Sequence, residues 1–225
     1  MQWKVRRTLA FSIHELAVIL GEDIAKSDLL PIFEGFIKDL DEVRIGVLKH
    51  LTHFLKLLPT NHRREYLPRL CEFLRPDNDN NWRFRLELAL QLCPMVDLFT
   101  AQECYEFICP VALTLLADKV VHIRRTCYAV VSRLVRQLVV QGDKVLLLQF
   151  SYDLEKQFAS VKTWTKRQSY AFVCGQLVCD ESLPLNLFCS LFLPNLLSLA
   201  NDKVPNIRIA VAKTLQSNLS SIGKF

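Results

Sequence analysis

His50 and His53 are three residues apart, a spacing that puts two imidazoles on one helical face, where a metal ion could be held. No carboxylate or thiolate stands close by in the chain to complete such a site, so the pair reads as an ordinary surface or seam feature. Cys104/Cys109 and Cys174/Cys179 share a five-residue spacing. On an α-helix that spacing turns two side chains roughly 140° apart, so neither pair is expected to share a ligand. No secretory signal precedes the eight cysteines, which are expected to be free and mostly buried thiols in a reducing compartment. The six glycines stand singly, which leaves no phosphate-cradling loop. Scattered Ser, His and Asp residues do not define a triad, which is recognised by geometry. No catalytic residue, cofactor or metal is therefore assigned, and the chain is expected not to be an enzyme.

The residues with a regular spacing are arginines. Arg6, Arg44, Arg85, Arg124, Arg167 and Arg208 follow one another at intervals of 38, 41, 39, 43 and 41 residues. Five of the six directly follow an apolar residue: Val5, Val43, Phe84, Ile123 and Ile207. One landmark in every forty residues is the mark of stacked helical repeats, which need one another to bury their apolar faces. A carboxylate at a helix start can cap backbone amides or pair with a neighbouring unit's guanidinium, and both roles suit a partly buried seam.

The elements around the landmarks fit that reading. Each arginine is placed just inside the second helix of a unit. Val5, Leu9, Ile13, Ala17 and Leu20 form one helical face, with Gly21 as its stop; Ile207, Val211, Thr214, Leu215 and Asn218 form another. Ahead of the later landmarks lie first helices, four of which carry an internal proline: Pro31, Pro68, Pro110 and Pro194. Each proline removes a backbone donor and is expected to bend its helix. Leu183 to Ala200 carries no charge, but its two prolines and its stripe of Asn and Ser favour a buried repeat helix over a membrane span. The array is predicted to run through residues 1–225 as one body of about five and a half antiparallel helix pairs, beginning in the second helix of a unit. Its turns fall near residues 3, 41, 82, 118, 164 and 202.

The net charge of +5 is mild and spread along the chain, with basic pairs at Arg6-Arg7, Arg63-Arg64, Arg124-Arg125 and Lys166-Arg167. In each pair one residue is expected to be structural and the other solvated. No nucleic-acid partner is expected, because a dedicated binder would be more basic and aromatic-interleaved on one face. No membrane partner is expected either.

The turns between helices alternate in form. Trp3, Trp82 and Trp164 open one kind; Asp41-Glu42, Asp118-Lys119 and Asp202-Lys203 open the other. The Asp-to-Arg spacing, the proline-bearing first helices and the forty-residue period together resemble the HEAT repeat. The runs from Val5 to Leu16, from Leu40 to Leu51, from Asn81 to Arg85 and from Leu199 to Arg208 go further. They resemble the regulatory subunit 1 family of protein serine/threonine phosphatase 4, over essentially the whole chain. The resemblance implies a non-catalytic scaffold, an all-α solenoid of HEAT repeats, that binds the protein phosphatase 4 catalytic subunit and directs its substrate choice. The catalytic subunit's own metal-binding motifs are missing. The half-unit start suggests a truncated or paralogous form, or a piece of a longer array.

Tryptophan and arginine are the residue types most often found in binding hot spots, so the turn edge is the candidate partner surface. It comprises Trp3, Asp41, Glu42, Trp82, Arg83, Lys119, Trp164 and Lys203. The alternative is that each tryptophan is buried between its own helices. Arg6, Arg44, Arg85, Asp118, Arg124, Arg167, Asp202 and Arg208 are assigned to a structural ladder. Two rival readings remain: a karyopherin-type transport adaptor, and a truncated product of little activity. A cytoplasmic location is expected, with the nucleus left open.

Overall fold

The computed structural model describes residues 2–74 and 81–216, and among them every regular element is helical. The chain falls into two compact units, Met1–Phe99 and Thr100–Phe225.

In the first unit, helix α1 (Trp3–Leu20) lies against α3 (Asp41–Lys49), and α3 against α6 (Trp82–Met95). These are the second helices of successive repeats. The connecting segments form the other layer. One runs from Glu22 through α2 (Leu30–Ile37). The next follows α4 (Leu51–Lys56), which continues the line of α3, and contains α5 (Thr60–Glu65) and a 3₁₀ stretch, Leu67–Leu74. Between the layers Phe33 and Phe54 stack at 4.4 Å, with Tyr66 edge-on to Phe33. Each such buried ring contributes about 2 to 3 kcal/mol of transfer free energy, which is what fixes the layers together.

The second unit repeats the scheme three times. A first helix containing α7 (Cys109–Leu116) pairs with α8 (Val121–Val140). α9 (Lys144–Leu154) leads to α10 (Trp164–Cys179), and α11 (Leu185–Leu191) and α12 (Leu193–Ser198) lead to α13 (Pro205–Thr214). Local chemistry sets the starts. Thr100 and Glu103 form a reciprocal capping box, while Asn81 and Asp143 accept from the backbone amides of Phe84 and Leu146.

All four first-helix prolines fall where α-helical bonding is interrupted. Pro31 and Pro110 each follow a five-residue π-turn, Ala25–Leu29 and Cys104–Ile108. A wider turn gives the pyrrolidine ring room and re-routes the bonding of the preceding carbonyls. Pro68 lies in the 3₁₀ stretch, and Pro194 opens α12 directly after the break at Phe192. The uncharged stretch is thus divided into α11, α12 and a closing 3₁₀ turn, and among the described residues no helix is long and apolar enough to cross a membrane.

Two expectations are corrected in detail. The buried line on α1 is Ala10, Ile13 and Ala17, whereas Val5 and Leu20 are exposed. The apolar positions of α1 outnumber those that α3 covers. The cysteine argument assumed 100° per residue; through the π-turn Cys109 donates its amide to the Cys104 carbonyl, and both thiols are buried. None of the eight cysteines is in a disulfide; four rather than most are buried, Cys93 is half-buried, and Cys71, Cys179 and Cys189 are exposed. Gly21 does stop α1, at φ 86°, and Asn218 lies outside the described residues.

Candidate functional site

The six landmark arginines occupy one structural position: each is the fourth residue of its second helix, in α1, α3, α6, α8, α10 and α13. From there a guanidinium reaches back over the turn that precedes the helix. Arg124 donates to the carbonyls of Asp118 and Lys119 at 2.8 and 3.1 Å. Arg167 donates to those of Val161 and Lys162, both at 2.7 Å, and Arg208 to those of Asp202 and Lys203 at 2.8 and 3.3 Å. These carbonyls end a first helix or begin its turn, so the arginine supplies donors that the helix end lacks.

The far side of the fork serves the next repeat. Arg167 binds both oxygens of Asp202, at 2.6 and 3.0 Å, and Arg6 binds both oxygens of Asp39, at 2.5 and 2.9 Å. Each carboxylate also accepts a backbone amide of its own turn: Val204 for Asp202 and Leu40 for Asp39. The guanidinium bonds hold both carboxyls below the ordinary carboxylate range, helped by those amides. Asp118 caps the amide of Val120 in the same way.

Arg44 departs from the pattern. Its guanidinium lies 4.6 Å from the Phe84 ring centre and contacts Asp41 at 3.3 Å, and Asp41 in turn accepts from Asn81 of the next turn. Arg85 is buried. Asp39 was not singled out in the sequence because Asp41 stands nearer the landmark. The available signal was register, since Asp39 follows Arg6 by 33 residues much as Asp202 follows Arg167 by 35.

The turns place the proposed partner residues at helix starts. Trp3, Trp82 and Trp164 are each the first residue of a second helix, and they are 42%, 38% and 41% exposed. Burial between their own helices is ruled out for all three. In the first unit α1, α3 and α6 run side by side in one direction. Arg6–Asp39 and Asn81–Asp41 tie their starts, and Gln91, bonded to the Lys49 carbonyl and Thr52, ties the later parts of α3 and α6. Trp3, Asp41, Glu42, Trp82 and Arg83 therefore share one edge of that unit, with the Arg83 guanidinium 4.7 Å from the Trp82 ring centre. In the second unit Trp164 opens α10, whereas the exposed Lys119 and Lys203 lie in the turns, two residues before α8 and α13.

A cleft of about 540 Å³ between the ends of α8 and α10 and the start of α11 is lined largely by Val139, Leu177, Leu183, Leu185 and Phe188, with Arg136 at its side. Among the described residues no three His, Cys, Asp or Glu side chains are placed to hold a metal ion. His50 and His53 do have a neighbour that sequence spacing could not show: His14 of α1 stacks on His50 at 3.9 Å.

Comparison with known proteins gives this arrangement a family. Residues 1–73 match the protein phosphatase 4 regulatory subunit 1 middle domain, and residues 192–217 match the HEAT repeat. Over 219 residues, 97% of the chain, it is 51% identical to serine/threonine-protein phosphatase 4 regulatory subunit 1 of Homo sapiens, and equally to those of Rattus norvegicus and Mus musculus. The chain belongs to the protein phosphatase 4 regulatory subunit 1 family. It spans 23% of the length of these relatives. Its all-α fold of stacked helix pairs is that of a HEAT-repeat solenoid.

Proposed function

We propose that this chain is a non-catalytic regulatory surface for the protein phosphatase 4 catalytic subunit, contacting it through the starts of the second helices. The observation that carries the reading is the exposure of Trp3, Trp82 and Trp164, about two-fifths each, at one repeated structural position. Large amphipathic rings left in water beside charged residues are what binding hot spots are made of, and a packed core has no use for them there. The kinship with regulatory subunit 1 supports this choice of partner. The arginine ladder sets the register of the edge, because each seam pair links the starts of neighbouring second helices. The four buried thiols remain reduced in a cytoplasmic setting, where we place the protein.

The test is capture of purified phosphatase 4 catalytic subunit by the immobilised chain, followed by titration. Trp82→Ala combined with Arg83→Ala should weaken binding about tenfold or more, as hot-spot truncations do. Circular dichroism should remain unchanged, because both side chains are exposed. Wild-type affinity in that variant and in Trp164→Ala would remove the edge from the interface. Absence of capture by the unsubstituted chain would refute the partner itself.

A further inference from the structure

Three of the five histidines meet on the seam between α1 and the α3–α4 line. The His14 and His50 rings are stacked, 3.9 Å between centres and 8° from parallel, and His53 stands 5.9 Å from the first and 6.2 Å from the second. His14 and His50 are half-buried, and His53 is exposed. Charged groups of both signs surround the rings. From α1 come Glu15, which is exposed, and Arg7, whose guanidinium lies 5.1 Å from the Phe11 ring centre. From α3 comes Lys49, 5.9 Å from the same ring, and Phe11 itself sits edge-on to His50. From α6 come Gln91 and Glu87, which contact each other, while Gln91 also holds the Lys49 carbonyl. Two carboxylates, Glu15 and Glu87, and two fixed cations, Arg7 and Lys49, thus surround the three imidazoles.

We propose that the His14–His50–His53 cluster is an acid-sensitive clasp that holds the C-terminal half of α1 against α3 and α4 when neutral and releases it when protonated. Two stacked imidazoles attract one another as neutral rings; a proton on either places a cation face to face with its neighbour, and a second proton adds direct repulsion. Burial, and for His50 the proximity of the other imidazoles and Lys49, already hold His14 and His50 below their ordinary 6.5. For a histidine the sign is as follows. The folded seam takes up protons less readily than the opened one, so its full stability is present above pH 6.5 and is lost as pH falls toward the folded values. The first half of α1 stays anchored, since the Arg6–Asp39 pair is unaffected in that range. Release is therefore a hinged opening of residues 13–20 toward the left-handed Gly21, rather than unfolding of the unit.

Hydrogen exchange of the whole chain, expressed as protection factors, reads this directly. Between about pH 7.5 and 5.5, protection in residues 13–20 should fall about tenfold, while that of α13 should hold. The doubly substituted His14→Gln/His50→Gln chain should lose the pH response, and His62→Gln/His122→Gln should keep it. Unchanged protection in the parent chain, or the same loss in His14→Gln/His50→Gln, would overturn the proposal. Should that double variant fail to fold, the imidazole proton resonances of the unsubstituted chain decide. His14 and His50 must titrate below 6.5, and titration at or above that value refutes the clasp.

Discussion

Removing the Asp202 carboxylate should be among the most damaging single changes to the second unit, and its cost can be built from contacts. Asp202 accepts three hydrogen bonds: two from Arg167, at 2.6 and 3.0 Å, and one from the Val204 amide at 2.8 Å, at the entry to α13. The two side chains are 15% and 8% exposed, so the pair stands between the surface and interior regimes. Exposed pairs contribute about 0–1 kcal/mol, and stripping one partner from a fully buried pair costs about 3–5. About 2 kcal/mol is therefore apportioned to the orphaned guanidinium. Loss of the turn bond to the Val204 amide adds about 1 kcal/mol. Asp202→Ala should thus cost about 3 kcal/mol in urea unfolding. Asp202→Asn keeps an oxygen for the Val204 amide but turns an NH₂ group toward a donor-only guanidinium, and should cost about 2 kcal/mol. A double-mutant cycle with Arg167→Gln should return a coupling of at least about 1 kcal/mol. The pair also fixes a pH dependence. Because its partner depresses the Asp202 carboxyl below 3.8, this stability is complete above that pH and is lost on further acidification. The asparagine variant should lose less stability than the parent across that acid range. A coupling near zero, or a cost for Asp202→Ala below about 0.5 kcal/mol, would show that the seam carries no energy and is only a crystal-like neighbourly contact.

Two further substitutions test the packing that positions the edge. A Cβ on Gly46 would lie 2.6 and 2.8 Å from two ring carbons of Phe11 and 3.2 Å from the Ala10 Cβ. Gly46→Ala should therefore lower the melting temperature, the overpacking cost of about 1–3 kcal/mol exceeding the roughly 1 kcal/mol gained in helix propensity. Phe84 is fully buried, against Phe73 and under the Arg44 guanidinium. Phe84→Ala should cost about 3–5 kcal/mol and Phe84→Leu about half as much, as measured by denaturant unfolding.

The period, the helix order and the ladder were legible in the sequence because each repeats, and a repeated residue type at a fixed position leaves a trace in one dimension. The proline breaks were legible for a related reason: a missing amide forces a local consequence wherever the residue stands. Partnership across repeats was not. Arg6 pairs with Asp39 although Asp41 belongs to the more visible turn, because a bidentate contact is decided by the offset between neighbouring helices. The histidine cluster was half legible, since His50, at the break between α3 and α4, and His53, within α4, are close in sequence, whereas His14 arrives from another helix. For Cys104 and Cys109 only the angle was misjudged, because the rule of 100° per residue fails through a π-turn.

The two roles of the landmark arginine explain why the exposed tryptophans stay where they are. In Arg167 the fork is bonded to its own turn on one side and to the next repeat on the other, which leaves Trp164, the first residue of that helix, outside the seam. Trp3 and Trp164 stand three residues before Arg6 and Arg167, nearly one helical turn away, beside a seam whose geometry a bidentate pair already specifies. A seam held by packing alone would draw those rings inward, since burying one gains more than any other side chain could. Held instead by the guanidinium, it leaves each ring at the edge of its own unit, exposed to whatever binds there.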